Sequence, residues 1–376
     1  MRIIIIGGGP AAVEAALRAR EVDKLSQIII FSAEKILPYR RPLLVKMLSQ
    51  SFSENRFFLH NKNFYDQHRI EIRLNSEVAF IDWSEKRIGL ANHTFESYDR
   101  LILATGGISR QIPQRGSGKS VFSLHDQSDL PNLQQRLPEI ENCLIIGGGV
   151  LGLEIMQEML NQNLKVTVIE GTDHLLKGVV DKECADFIQK QLLKQDKLTI
   201  LTGSRVKLLE NGSDYVRCHL ESGITRTISG NIAINAAGII PRQLSWLPAV
   251  KTNSLEVDEY MKVKGFDDIF AAGDCAYFPG LRSGSYMNAV YMGRLAGTNL
   301  LGTAEAITVQ PPELRSSFAN IKLYCAGITN DDSLAAATSS KNNSLRKLYY
   351  RNDQLVGCTL INDLGGAGEF YQLICK

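Results

Sequence analysis

Two stretches of the chain, RIIIIGGGPAA at residues 2–12 and CLIIGGGVLG at residues 143–152, decide its fold. Each begins with a short apolar run typical of a buried parallel strand and continues into three glycines and a helix-forming segment. A second apolar run follows each helix, at Gln27–Phe31 and at Lys165–Ile169. The duplicated pattern predicts two strand-helix-strand units with parallel strands.

Both glycine turns fit the pattern G-x-G-x-x-G/A, which suits the pyrophosphate of a dinucleotide. The glycines allow a sharp turn and a close approach of the backbone, and the helix that follows directs its N-terminal dipole at the phosphates. One such turn is weak evidence, because glycines follow strands for topological reasons alone. Two copies predict two bound dinucleotides. The matching residues are Gly7, Gly9 and Ala12 in the first copy and Gly147, Gly149 and Gly152 in the second.

An acidic residue at the end of the second strand of each unit is expected to bind the dinucleotide's ribose. Glu170 follows Lys165–Ile169 and lies about 20 residues after the first glycine of its turn, which is the expected spacing. A solvated carboxylate at a strand end is the alternative for Glu170. In the first copy, the strand ends at Phe31, and the ribose ligand is Glu34 or Ser32, with Glu34 the preferred candidate.

Composition and charge argue against several classes of protein. With 44% hydrophobic and 22% charged residues, the chain has the balance of a soluble globular protein, and a net charge of +2 offers no footprint for nucleic acid. The first apolar run is too short for a signal peptide, and no run approaches a membrane span. Seven scattered cysteines without a C-x-x-C pair predict reduced thiols rather than disulfides or a metal centre. We therefore expect a cytoplasmic protein.

At 376 residues the chain is long enough for two or three domains. The segment from Ser285 to Leu301 has helical spacing and is assigned to the first dinucleotide-binding domain. After Thr303 the pattern changes to antiparallel strands, with a polar loop predicted from Thr338 to Ser344. The predicted boundaries are 1–112 and 259–305 for the first domain, 113–258 for the second and 306–376 for a small C-terminal domain.

Five motifs in this order resemble the two-dinucleotide flavoprotein reductases of the pyridine nucleotide-disulfide reductase superfamily. Besides the two glycine turns, they are Ala104-Thr105-Gly106, Ala236-Ala237-Gly238 with Pro241-Arg242, and Ala271-Ala272-Gly273-Asp274. The resemblance implies an α/β fold in which the first Rossmann-like domain binds FAD and the second binds NAD(H), with a small α+β domain at the C-terminus.

The same resemblance implies which residues surround the cofactors. Asp274 is expected on the ribityl chain of FAD, and Thr105 and Gly106 are expected beside the flavin cofactor. Val78 and Gly238 are further candidates for cofactor binding.

The stretch LPYRRPLLVK at residues 37–46 resembles a segment of rubredoxin reductases, ferredoxin reductases and the flavoprotein parts of NADH-dependent nitrite reductases. That branch has no redox disulfide, and this chain has no cysteine before Cys143. The resemblance implies that Lys46 lies near the flavin and pairs with Glu154. The alternative is a structural lysine and a glutamate on a helix surface. Arg41 is a candidate for the pyrophosphate, because a planar guanidinium suits phosphate oxygens.

Without a cysteine relay, electrons must leave the flavin one at a time, toward an acceptor that reaches its edge. We therefore expect an NADH-dependent FAD oxidoreductase that reduces a small electron-acceptor protein such as rubredoxin or ferredoxin. The alternatives are a redox-sensing flavoprotein of the apoptosis-inducing-factor type and an NADH oxidase that uses oxygen. NADH is expected over NADPH, since Glu170 would repel a 2′-phosphate. The short C-terminal domain leaves both a monomer and a homodimer open.

Overall fold

The computed structural model describes residues 1–221, 227–242, 254–281 and 284–376. The chain divides into two compact units. The first unit contains Met1–Leu43, Ser51–Ile108 and Ile239–Val309, and the second contains Leu44–Gln50, Ser109–Gly238 and Gln310–Lys376. In the described ranges, every helix is too short or too polar to cross a lipid bilayer.

The helices of the described residues are mostly short, with the longer ones directly after the two glycine turns and near residue 290. In chain order they are α1 (Pro10–Val22), α2 (Leu43–Lys46), α3 (Glu54–Phe57), α4 (Lys62–Gln67), α5 (Asp129–Arg136), α6 (Val150–Asn161), α7 (Lys182–Leu192), α8 (Tyr286–Asn299) and α9 (Ala367–Ile374).

The strands of the described residues form one large parallel sheet in each unit, an antiparallel sheet near the C-terminus and several smaller sheets. In chain order they are β1 (Arg2–Ile6), β2 (Gln27–Phe31), β3 (Ile70–Arg73), β4 (Val78–Asp82), β5 (Arg87–Leu90), β6 (Phe95–Ser97), β7 (Arg100–Leu103), β8 (Gly107–Ser109), β9 (Gln114–Arg115), β10 (Val121–Phe122), β11 (Asn142–Ile146), β12 (Lys165–Ile169), β13 (Leu198–Leu201), β14 (Val206–Asn211), β15 (Val216–Leu220), β16 (Thr227–Gly230), β17 (Ile232–Asn235), β18 (Ile239–Pro241), β19 (Leu255–Glu256), β20 (Ile269–Ala271), β21 (Ala276–Tyr277), β22 (Glu313–Phe318), β23 (Ile321–Gly327), β24 (Ala335–Lys341), β25 (Ser344–Arg351) and β26 (Gln354–Ile361).

The first unit is built on a parallel sheet with the strand order β20-β7-β1-β2-β3. Its strands are buried apolar runs, as expected where helices cover both faces of a parallel sheet. Helix α8 packs against α1 so closely that a Cβ on Gly293 would lie 2.3 Å from the Ala11 carbonyl oxygen, and one on Gly297 would lie 2.2 Å from that of Ala15. Small residues in α8 therefore allow the two helices to pack together.

The second unit repeats the arrangement, with a parallel sheet in the order β10-β17-β11-β12-β13. Helix α6 connects β11 to β12, as α1 connects β1 to β2. A second sheet of order β16-β15-β14-β9 extends this unit. The α/β fold with two Rossmann-like domains, predicted from the duplicated pattern, is confirmed.

The C-terminal part of the second unit is an antiparallel sheet of order β22-β23-β26-β25-β24, covered by α9. A buried ion pair anchors this sheet to the start of α7: the Lys347 ammonium lies 2.6 Å from Asp181 Oδ2, and the Tyr349 hydroxyl donates to the same oxygen at 3.0 Å. Lys347 lowers the pKa of Asp181 against the effect of burial. The predicted α+β character of the C-terminal domain is confirmed.

The prediction of a polar loop from Thr338 to Ser344 is wrong. Strand β24 extends to Lys341 and pairs with β25 through a tight turn. The side chains of β24 are all exposed. Because neither face of this strand is buried, its sequence does not alternate between apolar and polar residues. Backbone hydrogen bonds at the sheet edge form this strand, and side-chain patterning could not reveal it.

Candidate functional site

The first glycine turn combines a strained backbone with open space. Gly7 has φ +132°, and a Cβ there would lie 2.0 Å from the Ala104 carbonyl oxygen, so no larger residue fits. Gly9 is the N-cap of α1, and apart from its neighbours in the chain no described heavy atom lies within 4 Å of where its Cβ would be. Ala12 is fully buried one turn later. The amides at the start of α1 thus face room for a phosphate group.

The ends of β7 and β20 bring three more predicted residues to the same edge of this sheet. Thr105 and Gly106 follow β7, and Asp274 follows β20. Gly106 has φ +68°, and apart from its chain neighbours no atom of the described residues lies within 4 Å of where its Cβ would be. Asp274 Oδ1 accepts a hydrogen bond from the Gly284 amide at 2.6 Å, just before α8 begins. A Cβ on Gly273 would lie 3.2 Å from that of Ala11, so this segment lies against the start of α1.

The hydrogen bonding of the Thr105 hydroxyl indicates whether a polar cofactor would fit at this edge of the sheet. Among the described residues, its buried oxygen has no hydrogen-bond partner. The nearby Cys275 thiol donates instead to the carbonyl oxygens of Leu103 and Ala272. A buried hydroxyl without a partner is costly unless a ligand satisfies it. This hydroxyl and the open glycine turn fit the polar groups of a flavin dinucleotide.

Glu34 and Arg41 form an ion pair beside the first turn. Ser32, rather than Glu34, directly follows strand β2, and a Cβ on Gly8 would collide with its hydroxyl at 2.3 Å. The Glu34 carbonyl accepts from the Asn75 amide at 2.9 Å, three residues before Val78 begins β4. The structure therefore brings Glu34, Arg41 and Val78 to the region where β2 ends.

The second glycine turn has a geometry similar to the first at its first two glycines. Gly147 has φ +113°, and a Cβ there would lie 2.4 Å from the Ala236 carbonyl oxygen. Gly149 is the N-cap of α6, and among the described residues only its chain neighbours come within 4 Å of where its Cβ would be. A Cβ on Gly152 would lie 2.0 Å from the Gly147 carbonyl oxygen, so α6 packs tightly onto its own turn. Gly238 follows the neighbouring strand β17 with φ +93°, and its Cβ position has no atom of the described part of the chain within 4 Å, apart from its chain neighbours.

Glu170 is fixed at the edge of this second turn. Its Oε2 accepts from the Gly148 amide at 2.7 Å, and its Oε1 accepts from the amide and the hydroxyl of Thr172 at 2.7 and 2.8 Å. These three donors orient the carboxylate beside the glycine turn, where a ribose would be bound. The arrangement fits the nicotinamide dinucleotide that the sequence predicts.

A cation that the sequence did not indicate lies next to Glu170. A Cβ on Gly171 would be 3.6 Å from both Cα and Cβ of Arg205, whose guanidinium has a loose, exposed ion pair with Glu221 at 3.8 Å. His174 is buried, with its ring bonded to the Leu175 carbonyl. Arg205 was missed because it follows β13, about 35 residues beyond the predicted ribose ligand, and a parallel neighbouring strand brings it close.

Lys46 and Glu154 both lie in the second unit, but their side chains do not form an ion pair there. Lys46 ends α2, and Glu154 lies in the first turns of α6. Burial is the largest influence on Glu154 and raises its pKa, while the Lys46 charge opposes this effect. The segment that carries Lys46 is held to the unit by Val45 and Leu48 in its apolar core and by the Gln134 side chain, which donates to the Met47 carbonyl at 2.7 Å.

Two serines donate hydrogen bonds to the two carboxylates of α6, Glu154 and Glu158, and sequence reasoning missed both contacts. Ser49 donates to the Glu158 carboxylate, one helical turn beyond Glu154. The Ser316 hydroxyl donates to Glu154 Oε1 at 2.7 Å. The sequence shows only that Ser316 alternates with the apolar residues Leu314 and Phe318, and it carries no signal for the contact with Glu154.

The profile of the family described as pyridine nucleotide-disulphide oxidoreductase matches residues 1–293. The chain is 30% identical over 373 residues to rubredoxin-NAD(+) reductase of Pseudomonas putida, with 96% of each chain covered. It is 27% identical to rhodocoxin reductase of Rhodococcus erythropolis, covering 96% of this chain and 86% of that one.

Among solved structures, the fold is similar to the ferredoxin reductase for the CYP199A2 system from Rhodopseudomonas palustris. The TM-score is 0.85 at 25% identity, covering 96% of this chain and 91% of that one. The similarity therefore extends through the C-terminal sheet, beyond the residues that the family profile matches.

Proposed function

Since the chain belongs to the pyridine nucleotide-disulphide oxidoreductase family, we propose that it passes electrons from NADH through FAD to a small rubredoxin-like or iron-sulfur protein. It is an FAD-dependent NAD(P)H oxidoreductase. The relatives that it resembles are reductases of rubredoxin, rhodocoxin and ferredoxin. Each of these acceptors is a small electron-transfer protein, which supports the same class of acceptor here.

One cofactor binds in each Rossmann-like domain. FAD is held by residues 1–112 and 259–305, and NAD(H) by residues 113–258. FAD supplies the chemistry of taking a hydride, which carries two electrons, and releasing those electrons singly. The proposed FAD ligands are Gly7, Gly9, Ala12, Glu34, Arg41, Lys46, Val78, Thr105, Gly106 and Asp274, and the proposed NAD(H) ligands are Gly147, Gly149, Gly152, Glu170 and Gly238.

Lys46 and Glu154 are the proposed catalytic residues. A cation near the flavin stabilises negative charge that accumulates on reduction. A carboxylate near the nicotinamide stabilises the positive charge that develops as NADH becomes NAD⁺. The support is that the Lys46 charge acts on Glu154 and that the segment around Lys46 is packed into the same unit as α6.

The distribution of cysteines is the observation that carries the electron-transfer proposal. All seven lie in the described ranges, none is in a disulfide, and six are buried. Burial raises the pKa of the Cys275 thiol, which lies beside Thr105 and Asp274, and of the Cys143 and Cys184 thiols. It raises that of Cys218 to about 12, so these thiols stay protonated and unreactive at neutral pH. A thiolate relay is therefore not available from these residues, and electrons leave the flavin directly.

NADH is the proposed nucleotide, because Glu170 is held as a hydrogen-bond acceptor at the ribose end of the second turn. A 2′-phosphate would bring additional negative charge close to this carboxylate. His174 is buried and Lys177 is paired with Asp173 at 3.2 Å. Arg205 is the nearby cation that could partly offset the repulsion.

We place the protein in the cytoplasm, as a monomer or a homodimer. The support for a reducing compartment is the set of seven cysteines without a disulfide. Light scattering at several concentrations measures the oligomeric state.

Steady-state kinetics test the proposed function. Protein loaded with FAD is expected to oxidise NADH much faster with rubredoxin or an iron-sulfur ferredoxin than with oxygen, and no thiolate-to-flavin charge-transfer band is expected on partial reduction. If oxygen consumption accounts for most NADH turnover while the iron protein is present, the chain is an NADH oxidase and the proposal is wrong.

A further inference from the structure

Strand β22 carries one polar residue on its inward face. Leu314, Ser316 and Phe318 are shielded, while the residues between them are exposed. Leu314 and Phe318 pack on the apolar cluster that includes Leu153 and Met156 of α6. Ser316 is therefore held between two apolar contacts on the side of the strand that faces α6.

The Ser316 hydroxyl donates to Glu154 Oε1 at 2.7 Å, although the two residues are far apart in the chain. Glu158, one turn further along α6, is 8% exposed and accepts from the Ser49 hydroxyl. Two carboxylates of one helix thus have serine donors from two different segments.

The groups around Glu154 act on its charge in opposite directions. Burial and the neighbouring Glu158 carboxylate raise the Glu154 pKa, while the Ser316 hydrogen bond and the Lys46 charge lower it. A donor to a carboxylate stabilises the charged form. The other ionisable residues on the strands packed against α6 are Cys143 on β11, Lys165 on β12, and Glu313 and Arg315 on β22.

We propose that Ser316 is a positioning residue that keeps Glu154 as an ordered carboxylate, so that the C-terminal sheet completes the site where the nicotinamide is oxidised. The inference rests on the proposed role of Glu154. The serine undergoes no bond change: its O–H donates to Oε1 throughout. A carboxylate that is fixed before the reaction stabilises developing positive charge without reorganising.

Ser316→Ala removes the donor and leaves burial and Glu158 in place. Protonated Glu154 should then persist to higher pH, so the loss of function should appear at acidic pH and disappear at alkaline pH. We expect the single-turnover rate of flavin reduction by NADH to fall about ten-fold near pH 6 and to stay within about two-fold of wild type near pH 8.5.

Infrared difference spectra measure the same event without catalysis. The carbonyl stretch of protonated Glu154, assigned by its loss in Glu154→Gln, should titrate at higher pH in Ser316→Ala than in wild type. Ser316→Thr keeps the hydroxyl and should restore the wild-type titration. Ser317→Ala, at the exposed neighbouring position, is the matched control and should change neither measurement.

An unchanged infrared titration in Ser316→Ala would overturn the inference, whatever the rates. A shifted titration with unchanged flavin reduction would instead leave the Ser316 contact standing and remove Glu154 from the proposed function. Glu158→Gln supplies a test of opposite sign, because loss of the neighbouring negative charge should move the Glu154 titration to lower pH. A shift of Glu158→Gln in the same direction as Ser316→Ala would also contradict the inference.

Discussion

The two glycine turns share their first two glycines and differ at the third position and at the ribose end. The backbone at Gly7 and Gly147 has nearly the same conformation, with the same close approach to a carbonyl of the neighbouring strand. The third position is Ala12 in the first turn and Gly152 in the second, where a Cβ would collide with the Gly147 carbonyl. The first two glycines are therefore required for the conformation of the turn, whereas the residue at the third position depends on how closely the helix packs against the turn.

The ribose ends differ in the residue that directly follows the strand. In the second copy, Glu170 occupies this position and binds the Gly148 amide. In the first copy, Ser32 occupies it, and the carboxylate of Glu34 comes two residues later in an ion pair with Arg41. The Glu170 carboxylate is thus held by a backbone amide of its own glycine turn, whereas the Glu34 carboxylate is held by the Arg41 side chain.

The largest expected effect comes from the shared first glycine. Gly7→Ala should abolish FAD binding, because its Cβ collides with backbone at a positive φ. Gly147→Ala should keep FAD but lose reduction by NADH, while dithionite still reduces the flavin. Flavin absorbance per protein and anaerobic NADH titration measure both.

Gly302→Ala is the matched control for backbone strain, since Gly302 has φ +92° with open space around its Cβ position. Full FAD content in Gly7→Ala, or normal NADH reduction in Gly147→Ala, would refute the assignment of one cofactor to each turn.

Substitutions at the third position should have smaller effects, which should differ between the two turns. Gly152→Ala forces α6 away from its turn, and displacement of the turn by about 1 Å is expected to cost about a hundred-fold in flavin reduction by NADH. Ala12→Gly should lower the free energy of unfolding by about 1–2 kcal/mol, from helix propensity and a lost methyl, and leave the FAD content unchanged. Stopped-flow reduction and urea unfolding provide the two readouts. Equal tolerance of both substitutions would contradict the difference in helix packing.

Substitution of Glu170 at the ribose end should have the smallest effect, a change in the preference for NADH over NADPH. At an effective dielectric of about 20, Glu170 and a 2′-phosphate a few Å apart repel by a few kcal/mol before screening, so NADH should be preferred roughly 10- to 100-fold. Glu170→Ala should narrow this preference. Glu170→Gln should also narrow it, because the charge is lost and because its NH2 group cannot accept from either Gly148 or Thr172. The ratio of kcat/KM for the two nucleotides measures the effect. Equal use of NADPH and NADH by the wild-type protein would show that Glu170 does not hold the ribose.

Much of this architecture follows from local sequence. Strands β1, β2 and β12 have the predicted bounds, because buried parallel strands are continuous apolar runs that end at glycine or polar residues. The contacts of Ser316 and Arg205 could not be predicted, because each depends on the packing of distant elements. The sequence left Ser32 and Glu34 open as ribose ligands, since strand ends give no information on the path of the loop that follows.

The central claim is that electrons enter the flavin in pairs from NADH and leave it singly to an iron protein. Anaerobic stopped-flow mixing of the NADH-reduced protein with excess oxidised rubredoxin or ferredoxin tests it most directly, after unbound nucleotide has been removed. The account predicts rapid flavin reoxidation with two acceptor molecules reduced for each flavin. A flavin that stays reduced until oxygen is admitted would contradict it.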